Sequence, residues 1–313
     1  MNVQPQPVLT QLTRSAIFVT ADINPGGEDK VREMVSNWGG YTRAVGFRRL
    51  DGGLAPVVGI GSHAWDRLFS GPRPMNLHPF TEIRGEKHTA PATGGDLLFH
   101  VRAVDFDLCF AFMQEVFGPL GDAVTVTDEV HGFRYFDERD LLGFVDGTEN
   151  PSGEAADEYV LIGEQDPAFV GGSYVIVQKY LHDLRAWDAI TVEEQERAIG
   201  RRKLSDIEFP DADKAADAHT VLNSINDENG NPLKIVRDNM PFGQASTGPY
   251  GTYFIGYAAD PAVTERMLRN MFIGDPPGTS DRILDFSTAH TGALFFVPSA
   301  DLLENPPSPA PSA

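Results

Sequence analysis

Short runs of β-branched and aromatic residues alternate along this chain with stretches of helical periodicity, and the two kinds recur in the same order in each half. Residues 15–20 (SAIFVT) and 173–178 (SYVIVQ) read as strands. Residues 95–117 (GDLLFHVRAVDFDLCFAFMQEVF) and 251–272 (GTYFIGYAADPAVTERMLRNMF) share one layout. Each opens on a Gly, runs through an apolar strand (97–101; 253–257), meets an Asp at the turn (Asp105; Asp260) and continues as a helix ending in Phe. Residues 123–127 and 293–297 supply a last strand to each half.

Strand, further strands, then strand–helix–strand with antiparallel closure predicts an α+β protein rather than a doubly wound parallel sheet. The simplest solution is a duplicated ferredoxin-like fold, with antiparallel sheets in both halves. The divisions expected are an N-terminal half over 13–140, a C-terminal half over 141–302 and a flexible tail over 303–313, a solvated end with nothing to bury. Gly, Asn and Pro punctuate residues 143–153, and a second loop-like, acidic stretch over 205–217 leads into His219.

Composition narrows the function classes. A formal net charge of -20 on 313 residues repels phosphate backbones and anionic lipid heads, so neither nucleic acid nor a membrane is expected as a partner. The sole cysteine, Cys109, excludes disulfides within the chain, paired-cysteine metal sites and covalent C-x-x-C-H haem attachment. It lies in the apolar repeat helix, where burial is expected. The opening residues, MNVQPQPVLTQL, have no basic start and no apolar core, and the longest apolar runs fall well short of a span of about 20 residues. A cytoplasmic location follows as the expectation.

Three places offer chemistry. In residues 143–151 (GFVDGTENP), Gly143 and Gly147 permit positive φ around Asp146; an ordinary Asp-Gly turn reads the same way. None of the eight histidines stands in H-x-x-x-H or H-E-x-x-H spacing, so a multi-histidine metal site is not supported. A single axial histidine needs only one imidazole and a pocket. His219 sits among small residues (AADAHTV), although spacing alone does not separate it from the other seven or from a surface histidine. Arg237, in residues 235–243 (IVRDNMPFG), follows apolar residues near a strand end; a structural salt bridge to one of many acids is the competing reading. There is no G-x-S-x-G, Walker loop or G-x-G-x-x-G.

Together these segments resemble the dye-decolourising peroxidase family, specifically its bacterial B-type members. The residues at 143–151 match the GFxDG signature, and blocks at 130–139 (VHGFRYFDER), 171–179 (GGSYVIVQK), 199–201 (IGR) and 235–243 follow in the family's order. The resemblance covers about residues 14–302. It implies two ferredoxin-like halves in a barrel-like arrangement and one non-covalent haem b per chain, seated in the C-terminal half. It implies Asp146, Arg237 and Asn239 as catalytic groups above the iron, and His219 as the axial ligand below it. Asp281 is implied as the acid accepting the imidazole proton, and Arg201 as a haem propionate partner. The activity implied is reduction of hydrogen peroxide at the expense of dyes, phenols or other one-electron donors, with Trp38, Trp65, Trp187 and several tyrosines available as electron relays. The alternative is a haem-handling protein, for storage or iron release, without significant turnover. The resemblance also implies a homo-oligomer. Residues 305–313 lack the Gly- and Leu-rich segment by which some relatives dock into a protein shell, so packaging by that route is not expected.

Overall fold

The computed structural model describes residues 3–311. In the N-terminal half, strands β1 (Ser15–Ile23), β2 (Ala55–Gly61), β3 (Leu97–Ala103) and β4 (Val124–Phe133) lie in the order β4-β1-β3-β2, every neighbouring pair antiparallel. The C-terminal half contributes β5 (Ser173–His182), the short β6 (Val236–Arg237), β7 (Met240–Gly243), β8 (Tyr250–Ala258), β9 (Ser287–Ala289) and β10 (Ala293–Val297). Its order, β7-β8-β5-β10, repeats the first half's, while β6 adds to β8 and β9 to β5. Each half is thus a ferredoxin-like sheet, as the repeated layout predicts.

The halves join through their edge strands. β2 pairs with β10 and β4 with β7, which closes eight strands into a ring and leaves no free edge among them. Inside the ring, Phe18, Leu98, Val130, Val175, Val177, Tyr253 and Phe295 fill the space. Outside it, helices α1 (Glu28–Ser36), α2 (Trp38–Gly46) and α3 (Phe106–Leu120) cover the first half. The second half carries α4 (Val192–Ile199), the short α5 (His219–Asn223) and α6 (Pro261–Phe272). Pro261 at the first turn and the Asp260 side chain accepting the Ala262 N–H start α6, so the turn acid of the repeat is its cap.

Burial on both faces explains what alternation does not reveal. All seven residues of β2 (APVVGIG) are buried, so no polar face marks it as a strand. Two boundaries differ from expectation. Order begins before residue 13: Gln6 is buried, donates to the carbonyls of Val58 and Pro298 and accepts from the Val58 N–H, clipping the β2–β10 seam. The tail, expected to be flexible over 303–313, makes contacts too. Leu303 packs into the core from a short helix, Ala300–Glu304, and residues 308–310 hydrogen-bond to residues 68–70, because an extended Pro-rich segment still offers backbone groups to a neighbour. Ser312 and Ala313 lie outside the described residues. Cys109 is fully buried, and burial pushes its thiol up to about 12. Trp38, Trp65 and Trp187 are buried too, so none of the three offers an indole at the surface.

Candidate active site

A cavity of about 360 Å³, within the range of small-molecule and cofactor sites, opens beside the outer face of β5 and β8. Strand alternation builds one wall: Tyr180, His182, Thr252 and Phe254 point outward into it, while Val175, Val177, Tyr253 and Tyr257 point into the barrel. Met267, Leu268 and Met271 of α6 supply apolar surface, and α5 brings His219. Five of the six site residues expected from the sequence line this one space: Asp146, Arg201, His219, Arg237 and Asn239. The sixth, Asp281, is fully buried behind His219.

His182 and His219 are the histidines on the cavity wall, and their hydrogen bonds separate them. Both ring nitrogens of His182 are engaged, Nδ1 with Ser287 Oγ at 2.8 Å and Nε2 with Thr252 Oγ1 at 2.9 Å, and burial lowers its pKa to about 4. His219 Nδ1 lies 2.7 Å from Asp281 Oδ2, while Asp281 Oδ1 accepts the Ile283 N–H. A carboxylate accepts only, so the proton sits on Nδ1 and the lone pair is left on Nε2, which has no partner among the described residues. Asn223 Nδ2 also approaches Nδ1, at 3.2 Å, but its donor is better spent on the His219 carbonyl at 2.9 Å. An imidazole tied to a carboxylate on one nitrogen and free on the other is the arrangement of a metal ligand with its outer support.

The polar groups converge from two segments. Gly143 and Gly147 adopt φ of +92° and +80°, the left-handed values expected of them, and the Asp146 N–H donates to the Glu138 carbonyl. Asp146 Oδ2 accepts from Asn239 Nδ2 at 3.0 Å, leaving Oδ1 unpartnered among the described residues. Residues 236–240 continue the period of a strand: Val236, Asp238 and Met240 face the barrel, Arg237 and Asn239 the cavity. The guanidinium of Arg237 has no hydrogen-bond or ion-pair partner among the described residues, which removes the structural salt bridge as its explanation. In a chain of net charge -20, a guanidinium that faces a cavity and pairs with no carboxylate is a prepared anion or dipole site.

Two further residues belong here that the sequence did not single out. Asn150 accepts the Arg237 N–H through Oδ1 at 3.0 Å and donates to the Arg237 carbonyl through Nδ2 at 2.7 Å, binding the Asp146 loop to the Arg237 strand. It stands inside the GFVDGTENP block, so a signal was present without a role attached. Asp140 also lines the cavity; desolvation pushes its carboxyl up to about 7 and the charge of Asp146 adds to the rise, against the Phe144 N–H that it accepts. Arg201, at the rim, is already balanced, with Glu208 at 2.9 Å, Glu149 at 3.2 Å and the Asp206 carbonyl at 2.6 Å.

A closed pair of ferredoxin-like sheets, with a largely apolar cavity onto which the free imidazole nitrogen of His219, the unpaired guanidinium of Arg237 and the Asp146 carboxylate open, fits the class of oxidoreductases built around a prosthetic group. The chain belongs to the Dyp-type peroxidase family: the family's N-terminal profile matches residues 5–134 and its C-terminal profile residues 137–302. It is 60% identical over 303 residues to a dye-decolorizing peroxidase of Rhodococcus erythropolis, an alignment covering 97% of this chain and 89% of that one. Among solved structures, the encapsulated DyP-type peroxidase of Mycobacterium smegmatis superposes with a TM-score of 0.96 at 58% identity, covering 97% of this chain and 99% of that one. A DypB variant of Rhodococcus jostii in complex with heme gives a TM-score of 0.94 at 54% identity, covering 96% and 98%.

Proposed function

We propose that this protein is a haem-dependent peroxidase that reduces hydrogen peroxide and oxidises dyes, phenols or similar one-electron donors, with one haem b per chain in the cavity of the C-terminal half. The observation that carries the reading is the division of labour around that cavity. His219 keeps Nε2 free while Asp281 holds Nδ1, and Arg237, Asp146 and Asn239 place a cation, a base and an amide on the same space. The donor set fits a porphyrin: one imidazole with an unengaged nitrogen on His219, apolar walls and no free nitrogen on His182.

His219 would hold the haem iron through Nε2, and Asp281 keeps its ring in one tautomer and one orientation. When bound, the haem iron supplies the redox centre at which peroxide is reduced by two electrons and from which donors are oxidised one electron at a time. On the peroxide side, Asp146 takes a proton at Oδ1 from one peroxide oxygen and returns it to the departing one. Asn239 holds Oδ2, so the carboxylate turns no other way. Arg237 stabilises the negative charge that grows on the departing oxygen. Arg201 would hold a haem propionate in place of Glu149, whose side chain is largely exposed.

A protein that merely stores haem needs no positioned base and no unpaired arginine, so the Asp146–Asn239–Arg237 set supports turnover over haem handling. Mixing the hemin-loaded protein with peroxide tests this: a fast Soret change that Arg237→Leu slows supports peroxidase chemistry, and an inert spectrum overturns it.

No helix among the described residues is long and apolar enough to cross a membrane. A cytoplasmic setting and a homo-oligomeric state remain part of the proposal; a size-exclusion mass equal to one chain contradicts the second. Residues 308–310 lie against the chain's own residues 68–70, which supports the view that this segment does not dock into a shell. Co-purification with a shell protein through these residues contradicts it.

A further inference from the structure

Between Arg237 and Asn239, the two residues that face the cavity, stands a carboxylate that faces the other way. Asp238 is buried, and Oδ2 forms an ion pair with Nη1 of Arg102, a buried arginine on β3 of the opposite half. Arg102 Nη2 in turn donates to the Pro7 carbonyl. His100, two residues before Arg102 on the same inward face, lies 3.9 Å from Asp238 Oδ2 through Nε2 and accepts or donates at Nδ1 with Tyr257 Oη at 2.8 Å. Three atoms of this cluster, His100 Nε2, Arg102 Nε and Asp238 Oδ1, have no protein partner.

Such a cluster is costly inside a barrel. Each charge loses its hydration, and an apolar pair of similar volume is often as stable or more so. The barrel is otherwise filled by Phe, Val, Ile, Leu and Tyr, which need no ion pair to pack. The position of Asp238 suggests what the pair secures. The ladder between β6–β7 and β8 keeps one register throughout, with Arg237 opposite Gly256 and Met240 opposite Tyr253. At residues 238–239 it is interrupted: the Asp238 N–H reaches the Ile255 carbonyl at a long 3.2 Å, and the Ile255 N–H goes to the Asn239 side chain in place of a backbone carbonyl. The ladder is thinnest at residues 238–239, beside Arg237 and at Asn239 itself.

We infer that Asp238 and Arg102 are positioning residues for the peroxide side of the site: their ion pair, made across the barrel between the two halves, fixes the backbone from which Arg237 and Asn239 project. The inference rests on the reading of Arg237 and Asn239 given above. It gives the N-terminal half, which contributes neither haem ligand nor acid–base group, a part in the chemistry.

The test uses hemin-loaded full-length protein and cyanide as a ligand for the ferric iron, with peroxide kinetics beside it. The Arg102→Met/Asp238→Leu pair removes both charges and both hydrogen bonds at similar volume; the Arg102→Gln/Asp238→Asn pair removes the charges and keeps a hydrogen bond across the barrel. For Met/Leu we expect hemin uptake at the parent stoichiometry, cyanide affinity and the peroxide rate each down by about tenfold, and reductant KM unchanged. For Gln/Asn we expect recovery of most of that loss. Cyanide affinity within a factor of about two of the parent in both pairs overturns the inference, as does an equal loss in both, or failure of both to take up hemin, since the pair would then serve the fold alone. Arg237→Leu is the control: if it leaves cyanide affinity untouched, the assignment of Arg237 to the peroxide side fails, and that failure is separate from this one.

Discussion

Asn239 donates from Nδ2 to Oδ2 of Asp146 at 3.0 Å, and its other end is fixed because Oδ1 accepts the Ile255 N–H. A backbone N–H only donates, so the amide has one orientation, and the nitrogen faces the carboxylate. The two residues are 93 apart in sequence, and the bond makes one unit of the Gly143–Gly147 loop and the strand carrying Arg237. Asn239→Ala therefore frees Asp146 to rotate. A slower peroxide reaction with hemin affinity unchanged is expected, and stopped-flow mixing reads it.

In the proposed mechanism, Asp146 and Arg237 act on the same peroxide through different physics. Loss of the base in Asp146→Asn is expected to slow peroxide cleavage by about 10²–10⁴-fold. Loss of the cation in Arg237→Leu is expected to slow it by about 10²–10³-fold. Both variants keep His219 and are expected to bind hemin normally; single-mixing absorbance at the Soret band measures each.

Asn150 grips both backbone groups of Arg237. Asn150→Ala removes two hydrogen bonds, with a cost to stability of about 1–3 kcal/mol. The same change lets Arg237 drift, and about a tenfold slower peroxide reaction is expected. Thermal melting and peroxide kinetics on one preparation separate the two effects.

Asp281 supports the proposed iron ligand without reaching the cavity. Asp281→Asn keeps the volume and loses the anionic acceptor for Nδ1–H, so hemin affinity or turnover is expected to fall by about 10–100-fold. The iron's reduction potential is expected to rise, because a less electron-rich imidazole favours the ferrous state; spectroelectrochemistry reads the shift.

Asp140 and His182 give the cavity wall opposite pH dependences. The Asp140 carboxyl is raised to about 7 from 3.8, so the native state holds its proton between those values and its ionisation costs stability as pH rises through 7. Asp140→Asn removes that cost. Its melting temperature is expected to exceed the parent's by more at pH 8 than at pH 4. His182, lowered to about 4 from 6.5, works the other way: the unfolded chain takes the proton first, so stability falls as pH drops from 6.5 towards 4. His182→Gln is expected to flatten that acid limb in scanning calorimetry.

Much of this was legible in sequence order, and the rest was not for definable reasons. The first, third and fourth strands of each half announced themselves through β-branched runs and an Asp that starts a helix. β2 carries seven buried residues with no polar alternation. β7 is four residues long and is told from a loop only by its two neighbours. The GFVDG loop was readable because two glycines flank one acid, and the positive φ values follow from that chemistry. Which histidine stays free was not readable, since it depends on Asp281 reaching His219 across 62 residues while Ser287 and Thr252 close off His182. Gln6 and Asp238 were hidden for a related reason. A polar residue in a polar stretch, or an acid beside an arginine, gives no sign that its side chain turns into a barrel.

The central claim is that Nε2 of His219 holds a haem iron beneath Asp146 and Arg237. A crystal structure of the hemin-loaded protein tests it directly. We expect the iron bonded to His219 Nε2, with Asp281 still on Nδ1 and Arg237 and Asp146 on the other face of the ring. Iron bonded to His182, or a porphyrin seated with position 219 turned away, would contradict the account.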